Sequence, residues 1–171
     1  MASPSAQGHP IPRSHRRCRQ GRASFAEGED PSSDAHYIWT GAGDLVKDTR
    51  LLVSVVDDSE SVRESLPDLL QQFGFAVETF SSAAAFLASK AVGRTSCLIL
   101  DVGLPGMSGP DLQEELIRLG HRIPIVFITA QDDKSLRPRL VARGAAGFLF
   151  KPFSDTALLE ALNTALGRAS T

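Results

Sequence analysis

Three acids, one hydroxyl and one amine stand at the ends of four apolar runs. Asp57 and Asp58 follow Leu51–Val56, Asp101 follows Cys97–Leu100, Thr129 follows Ile125–Ile128, and Lys151 follows Phe148–Phe150. If the runs are parallel strands, their carboxyl ends share one sheet edge. Three carboxylates, a hydroxyl and an ammonium then meet in one small site. Such a set can hold a divalent cation and load one carboxylate with a phosphoryl group.

The electrostatics point the same way. Two like unit charges about 4 Å apart cost about 4 kcal/mol at an effective dielectric of about 20. Three carboxylates that close must take up a proton or bind a cation. An all-oxygen donor set favours a hard ion, and Mg²⁺ combines a few carboxylates with waters and phosphate oxygens. No cysteine or histidine falls in the cluster, which disfavours zinc. With the cation bound, Asp101 can attack phosphorus as a nucleophile. Lys151 can then pair with one phosphoryl oxygen and Thr129 donate to another, since positioning and charge supply most of the stabilisation in phosphoryl transfer. The Lys151-Pro152 bond is a candidate for cis, which would aim the ammonium inward. Taken singly, an Asp after a strand is ordinarily a turn former or cap, and a Lys-Pro or a strand-end Thr is ordinarily structural. Their joint placement carries the signal.

The elements that must position these groups are strands at Leu51–Val56, Phe75–Phe80, Cys97–Leu100, Ile125–Thr129 and Ala146–Phe150. Four are nearly continuous apolar runs, as expected of parallel strands covered on both faces; Phe75–Phe80 is mixed and suits an edge. Between the first two strands, Val62, Leu66, Leu69, Leu70 and Phe73 recur at helical spacing, as do Leu158, Leu159, Leu162, Ala165 and Leu166 after Ser154, a candidate N-cap. Gly74, Gly93, Gly120, Gly144 and Gly167 each follow an expected helix, where glycine takes the left-handed conformation at little cost. The pattern is (βα)5: an α/β, doubly wound, five-stranded parallel sheet with right-handed crossovers. In strand order 2-1-3-4-5 the ligand crevice lies between strands one and three, whose ends carry the acids.

The 171 residues suffice for one domain and an extension, with 42% hydrophobic content and a net charge of −2. That charge makes no case for nucleic acid or membrane binding, and no apolar run reaches the ~20 residues of a membrane span. Cys18 and Cys97 lie in unlike surroundings, so a disulfide is not expected and a reducing, cytoplasmic compartment fits. Residues 1–49 are rich in Ser, Gly, Pro, Arg and His and bury too little to offset their ordering entropy; they read as a disordered extension. Within them Arg13, Arg16, Arg17, Arg19 and Arg22 form a basic cluster, and Tyr37-Ile38-Trp39 an isolated apolar knot that could dock on the domain. His9, His15, His36 and His121 carry no visible role.

Residues 51–168 resemble the receiver domain of bacterial two-component response regulators, the CheY-like family. The resemblance rests on Val55-Val-Asp-Asp58, Leu100-Asp-Val-Gly-Leu-Pro-Gly-Met-Ser-Gly109, Phe127-Ile-Thr-Ala130 and Gly144-Ala-Ala-Gly-Phe-Leu-Phe-Lys-Pro-Phe153. These stretches are similar to the branch that often carries a LuxR-type DNA-binding output. The resemblance implies a flavodoxin-like fold, a receiver domain over residues 50–168, Asp101 as phosphoacceptor, and Mg²⁺ held by Asp57, Asp58, Asp101 and the Gly103 carbonyl. It further implies that Thr129 and Lys151 bind the acyl phosphate and that Phe148, with Pro152, occupies switch positions. The implied partners are a sensor histidine kinase or histidine phosphotransfer protein, an unidentified downstream protein, and a second copy in a phosphorylation-dependent dimer.

Some positions depart from the expected pattern. Gly103 and Gln131 occupy variable positions that affect phosphoryl lifetime. Pro67 falls inside the first helix and Pro138 inside the fourth, where an interior proline costs about 3 kcal/mol unless the helix kinks or restarts. Val62 and Leu66 would then leave the ridge that docks the histidine donor, and the fourth-helix signalling face would change. With no helix-turn-helix after Gly167, the reading is a single-domain regulator without an output domain. Two rivals stand beside it. One is a phosphorylation-independent binding module on the same fold, which the complete acid, Thr and Lys set argues against. The other is an aspartyl-phosphate phosphohydrolase of the haloacid dehalogenase type, which needs an acid where Gly103 stands.

Overall fold

The computed structural model describes residues 37–39, 45–130 and 135–167. The basic cluster, Cys18, His9, His15, His36, Gln131 and the rest of residues 1–36 and 40–44 lie outside the described residues. Two compact units divide at Lys47 and Asp48. In the first, Tyr37–Trp39 pairs antiparallel with Leu45–Lys47, Ile38 facing Val46. Residues 1–49 were expected to carry no regular structure; aromatic and β-branched residues favour extended pairing at these two short stretches.

The second unit is built on five parallel strands: β1 (Leu52–Val56), β2 (Ala76–Phe80), β3 (Thr95–Asp101), β4 (Ile125–Thr129) and β5 (Gly147–Phe150). Their spatial order is β2-β1-β3-β4-β5, the expected order. Five helices connect and close them: α1 (Glu60–Gln72), α2 (Ala83–Leu87), α3 (Gly109–Arg118), α4 (Leu136–Ala142) and α5 (Asp155–Ala165).

Successive strand residues point to opposite faces, and both faces are covered. Val56, Leu98, Leu100, Ile125 and Phe127 pack with Phe86, Leu112, Leu116 and Leu140 of α2, α3 and α4. Val53, Val55, Ile99, Val126 and Ile128 pack with Leu66, Leu70, Leu158 and Leu162 of α1 and α5. Two-sided burial explains why the central strands read as unbroken apolar runs. Cys97 is a buried free thiol in the second cluster, and burial pushes its pKa up to about 12. The half-buried residues of β2 fit an edge position.

Three local expectations need correction. Gly93 was expected just past a helix in the left-handed conformation, but α2 ends at Leu87 and Gly93 closes a separate 3-10 turn, Lys90–Gly93. Ser89 makes the break: its hydroxyl donates to Phe86 O at 2.7 Å and accepts from Ala91 N at 3.2 Å, competing with helix continuation. The other four predicted glycines have positive φ, as does Gly106, which was not foreseen. Pro138 is not interior: α4 starts at Leu136, so Pro138 lies in the first turn, where the backbone N–H has no helical acceptor to lose. Pro67 is interior, yet α1 runs from Glu60 to Gln72 without restarting. Leu66 stays buried in the α1/α5 core and Val62 packs against it.

Candidate functional site

Each site residue is delivered by the end of a strand. The β1 backbone passes Val56 and leaves Asp57 N donating to Phe80 O of β2 at 3.1 Å. Asp101 is the last residue of β3, and Val102 N donates to Ile128 O at 3.0 Å. Thr129 ends β4 opposite Phe150, and its carbonyl accepts from Lys151 N at 2.8 Å. Ladder bonds of this kind hold the four strand ends to one edge.

The carboxylates converge there. One oxygen from each of Asp57, Asp58 and Asp101 lies within 4.8 Å of the others. Asp57 is fully buried, Asp101 is 6% exposed, and Asp58 faces solvent. Hard oxygen donors that close, with one side open, fit a divalent cation of the Mg²⁺ type. Lys151 Nζ donates to Asp57 Oδ2 at 2.7 Å and to Asp101 Oδ1 at 3.3 Å. The other Asp57 oxygen accepts from Ser59 N at 2.8 Å.

The titration of the site follows from these contacts. Burial raises the Asp101 pKa above the ordinary carboxylate value; the Lys151 charge opposes this, and the charges of Asp57 and Asp58 add to it. Burial works against the Lys151 charge, but the hydrogen bond to Asp57 and the charges of Asp101 and Asp57 outweigh it and raise the Lys151 pKa. The lysine is therefore a firmly held cation inside an acid cluster.

The loop after Asp101 runs close beside its carboxylate. Gly103 is exposed, and a β-carbon there would meet Asp101 Oδ2 at 3.6 Å, so its backbone runs beside the carboxylate. Ser108 caps α3: its hydroxyl accepts from Asp111 N at 3.3 Å while the Asp111 carboxylate accepts from Ser108 N at 3.2 Å. Gly109 at the helix start has no room for a side chain, because a β-carbon would lie 2.4 Å from the Asp101 carbonyl oxygen.

The Lys151-Pro152 bond is cis, and Ser154 caps α5 through its bond from Ala157 N, both as expected. Phe148 is half-buried, 6.3 Å from the Phe127 ring and 5.3 Å from the Phe150 ring. It lies on the sheet face packed by α2, α3 and α4. Val62, Leu66 and Leu69 of α1 line a groove of about 460 Å³ with Lys151, Pro152 and Phe153 of the β5–α5 loop.

Two residues at the site were not singled out from sequence. Arg63 Nη1 donates at 2.8 Å to the carbonyls of both Asp57 and Asp58. Its spacing behind the acid pair, on the helix that leaves the acid loop, was the available signal. Gly109 was quoted only as part of a longer stretch; a glycine immediately after a serine cap was the signal there.

Comparison with known proteins adds to this geometry. Residues 53–163 match the family described as "Response regulator receiver domain". Nodulation protein W of Bradyrhizobium diazoefficiens is 45% identical over 133 residues, covering 77% of this chain and 59% of that protein. The transcriptional regulatory protein FixJ of Azorhizobium caulinodans is 41% identical over 120 residues, 70% of this chain and 57% of that protein. The chain thus spans less than two thirds of the length of these relatives. Among solved structures, the chemotaxis protein CheY4 of Vibrio cholerae superposes with a TM-score of 0.63 at 32% identity, covering 69% of this chain and all of that one.

Proposed function

Because the chain belongs to the response regulator receiver domain family, we propose that it accepts a phosphoryl group on Asp101 from a sensor histidine kinase or histidine phosphotransfer protein. The observation that carries this reading is the convergence of Asp57, Asp58 and Asp101 with Lys151 bridging two of them. Receiver domains take phosphoryl groups from histidine kinases and are signalling proteins, generally not turnover enzymes.

Asp101 is the nucleophile. A P–O bond forms to its carboxylate while the P–N bond to the donor histidine breaks; the imidazole keeps the electron pair and is protonated by water. Asp57, Asp58, Asp101 and the Gly103 carbonyl are the groups that hold Mg²⁺, which when bound neutralises the carboxylates and the phosphoryl oxygens. Lys151 pairs with one phosphoryl oxygen and the Thr129 hydroxyl donates to a second. Burial of Asp57 and Asp101 limits water at the reacting edge. The groove between α1 and the β5–α5 loop, with its apolar wall at Val62 and Leu69, suits a docked donor helix.

The acyl phosphate adds charge and acceptor oxygens at the β3 end. Thr129 moves to meet them, and Phe148, three residues before Lys151, turns in the space beside Phe127. The shift selects one of two conformations of the α4–β5 face, read by a downstream protein or a second copy. The protein works with its phosphodonor in the cytoplasm; among the described residues no helix is long and apolar enough to cross a membrane.

Profiling with purified sensor kinases, each autophosphorylated with labelled ATP, tests the reading. At least one kinase is expected to lose its label to the wild type in Mg²⁺ and not to Asp101→Asn. Equal labelling of both proteins contradicts it.

A further inference from the structure

We infer that Arg63 is a positioning residue for the acid pair, holding the Asp57–Asp58 backbone so that both carboxylates stay aimed at one cation. This rests on the metal reading above. Asp57 is anchored at four points: its N–H to Phe80 O, its carbonyl to Arg63, and its two carboxylate oxygens to Ser59 N and Lys151 Nζ. Asp58 is different. It is exposed, and among the described residues its side chain takes no hydrogen bond; its carbonyl accepts from Arg63 Nη1 at 2.8 Å. An exposed carboxylate beside two others is repelled and gains by swinging into water. The bond to Arg63 opposes that swing by fixing the peptide that carries the side chain.

The chemistry of the residue suits the task. A guanidinium is always charged, so its bonds to the two carbonyls are charge-assisted at any working pH. One nitrogen reaches two consecutive carbonyls, which fixes the orientation of the acid-bearing peptide and not only its position. Arg63 is half-buried on α1, whose first residue is Glu60, so the clamp is tied to the helix that leaves the loop. Its bonds go to the two backbone carbonyls, so it acts through Asp57 and Asp58.

The test is Mg²⁺ binding by calorimetry on the full chain for wild type, Arg63→Met and Arg63→Lys, with urea midpoints in EDTA as a folding control. Groups that orient metal ligands typically carry about ten- to a hundredfold in affinity. Arg63→Met is therefore expected to weaken Mg²⁺ binding about tenfold, with Arg63→Lys lying closer to wild type because it keeps the charge and the donor. Labelling by acetyl phosphate supplies the second readout: at saturating Mg²⁺, Arg63→Met reaches the wild-type maximum, and only the Mg²⁺ concentration needed is raised. Unchanged affinity in Arg63→Met, no recovery in Arg63→Lys, or a lost labelling maximum at saturating Mg²⁺ overturns the inference. A wild type that takes up no Mg²⁺ instead fails the reading of the site itself.

Discussion

Lys151 Nζ lies 2.7 Å from Asp57 Oδ2, nearer than the 3.3 Å that separates it from Asp101 Oδ1. The lysine expected to serve the phosphoryl group is thus the counter-charge of a fully buried acid. A cation at the acid cluster would neutralise the same carboxylates, and would leave the ammonium available to a phosphoryl oxygen.

That pairing predicts the behaviour of Lys151→Met. Removing one partner of a buried pair leaves an uncompensated charge, which typically costs about 3–5 kcal/mol. Lys151 is partly solvated, so a smaller loss of about 2 kcal/mol is expected in EDTA by urea denaturation. Addition of Mg²⁺ should narrow the gap to wild type, because the cation binds the folded variant without a competing ammonium and restores the missing counter-charge.

Asp101 predicts the opposite sign. Its folded pKa is raised, chiefly by burial, so the folded protein holds its proton more tightly than the unfolded chain. Ionised Asp101 therefore destabilises the metal-free fold, fully at pH values above the raised pKa and not at all once both states are protonated. Asp101→Asn should melt at a higher temperature than wild type at pH 7 in EDTA. The difference should shrink on acidification and vanish below about pH 4. A constant difference across that range would remove ionisation as its cause.

Gly109→Ala should damage the site. The added carbon would lie 2.4 Å from the Asp101 carbonyl oxygen and 3.0 Å from the Val102 α-carbon, both backbone atoms. Relief requires the β3–α3 loop to move, at about 1–3 kcal/mol, and acetyl phosphate labelling should fall with it. Gly93→Ala is the control, since nothing lies within 4 Å of its β-carbon and its φ is ordinary. Thermal melts and labelling of the two variants side by side check the contrast.

Phe148→Leu should separate loading from signalling. Its ring packs on Phe127 and Phe150, on the sheet face covered by α2, α3 and α4. Phosphoryl uptake should stay within about twofold of wild type, whereas the change in hydrogen exchange across α4 and β5 on phosphorylation should shrink. Full retention of that change would take the switch role away from Phe148.

How far the sequence could be read varied with how local the cause was. β1 and β4 were legible because burial on both faces demands unbroken apolar residues, and the acid pair and Thr129 stood where those runs stop. β3 was drawn too short, because Thr95 and Ser96 at its start are polar; the Thr95 hydroxyl is satisfied by donating to Ala91 O at 2.7 Å. The early end of α2 depends on which way the Ser89 side chain turns. Pro138 reads as interior from sequence because nothing local marks where the fourth helix begins; in the structure α4 starts two residues earlier, at Leu136. The preference of Lys151 for Asp57 needs the third dimension, since strand ends alone do not rank three acids. Arg63 was passed over because a lone arginine on a helix ordinarily reads as solvated.

The most direct measurement is intact mass after incubation with acetyl phosphate, for wild type and Asp101→Asn, each in Mg²⁺ and in EDTA. The account predicts a single added phosphoryl group on the wild type in Mg²⁺, and none on Asp101→Asn or in EDTA. Equal modification of Asp101→Asn, or modification indifferent to Mg²⁺, would contradict it.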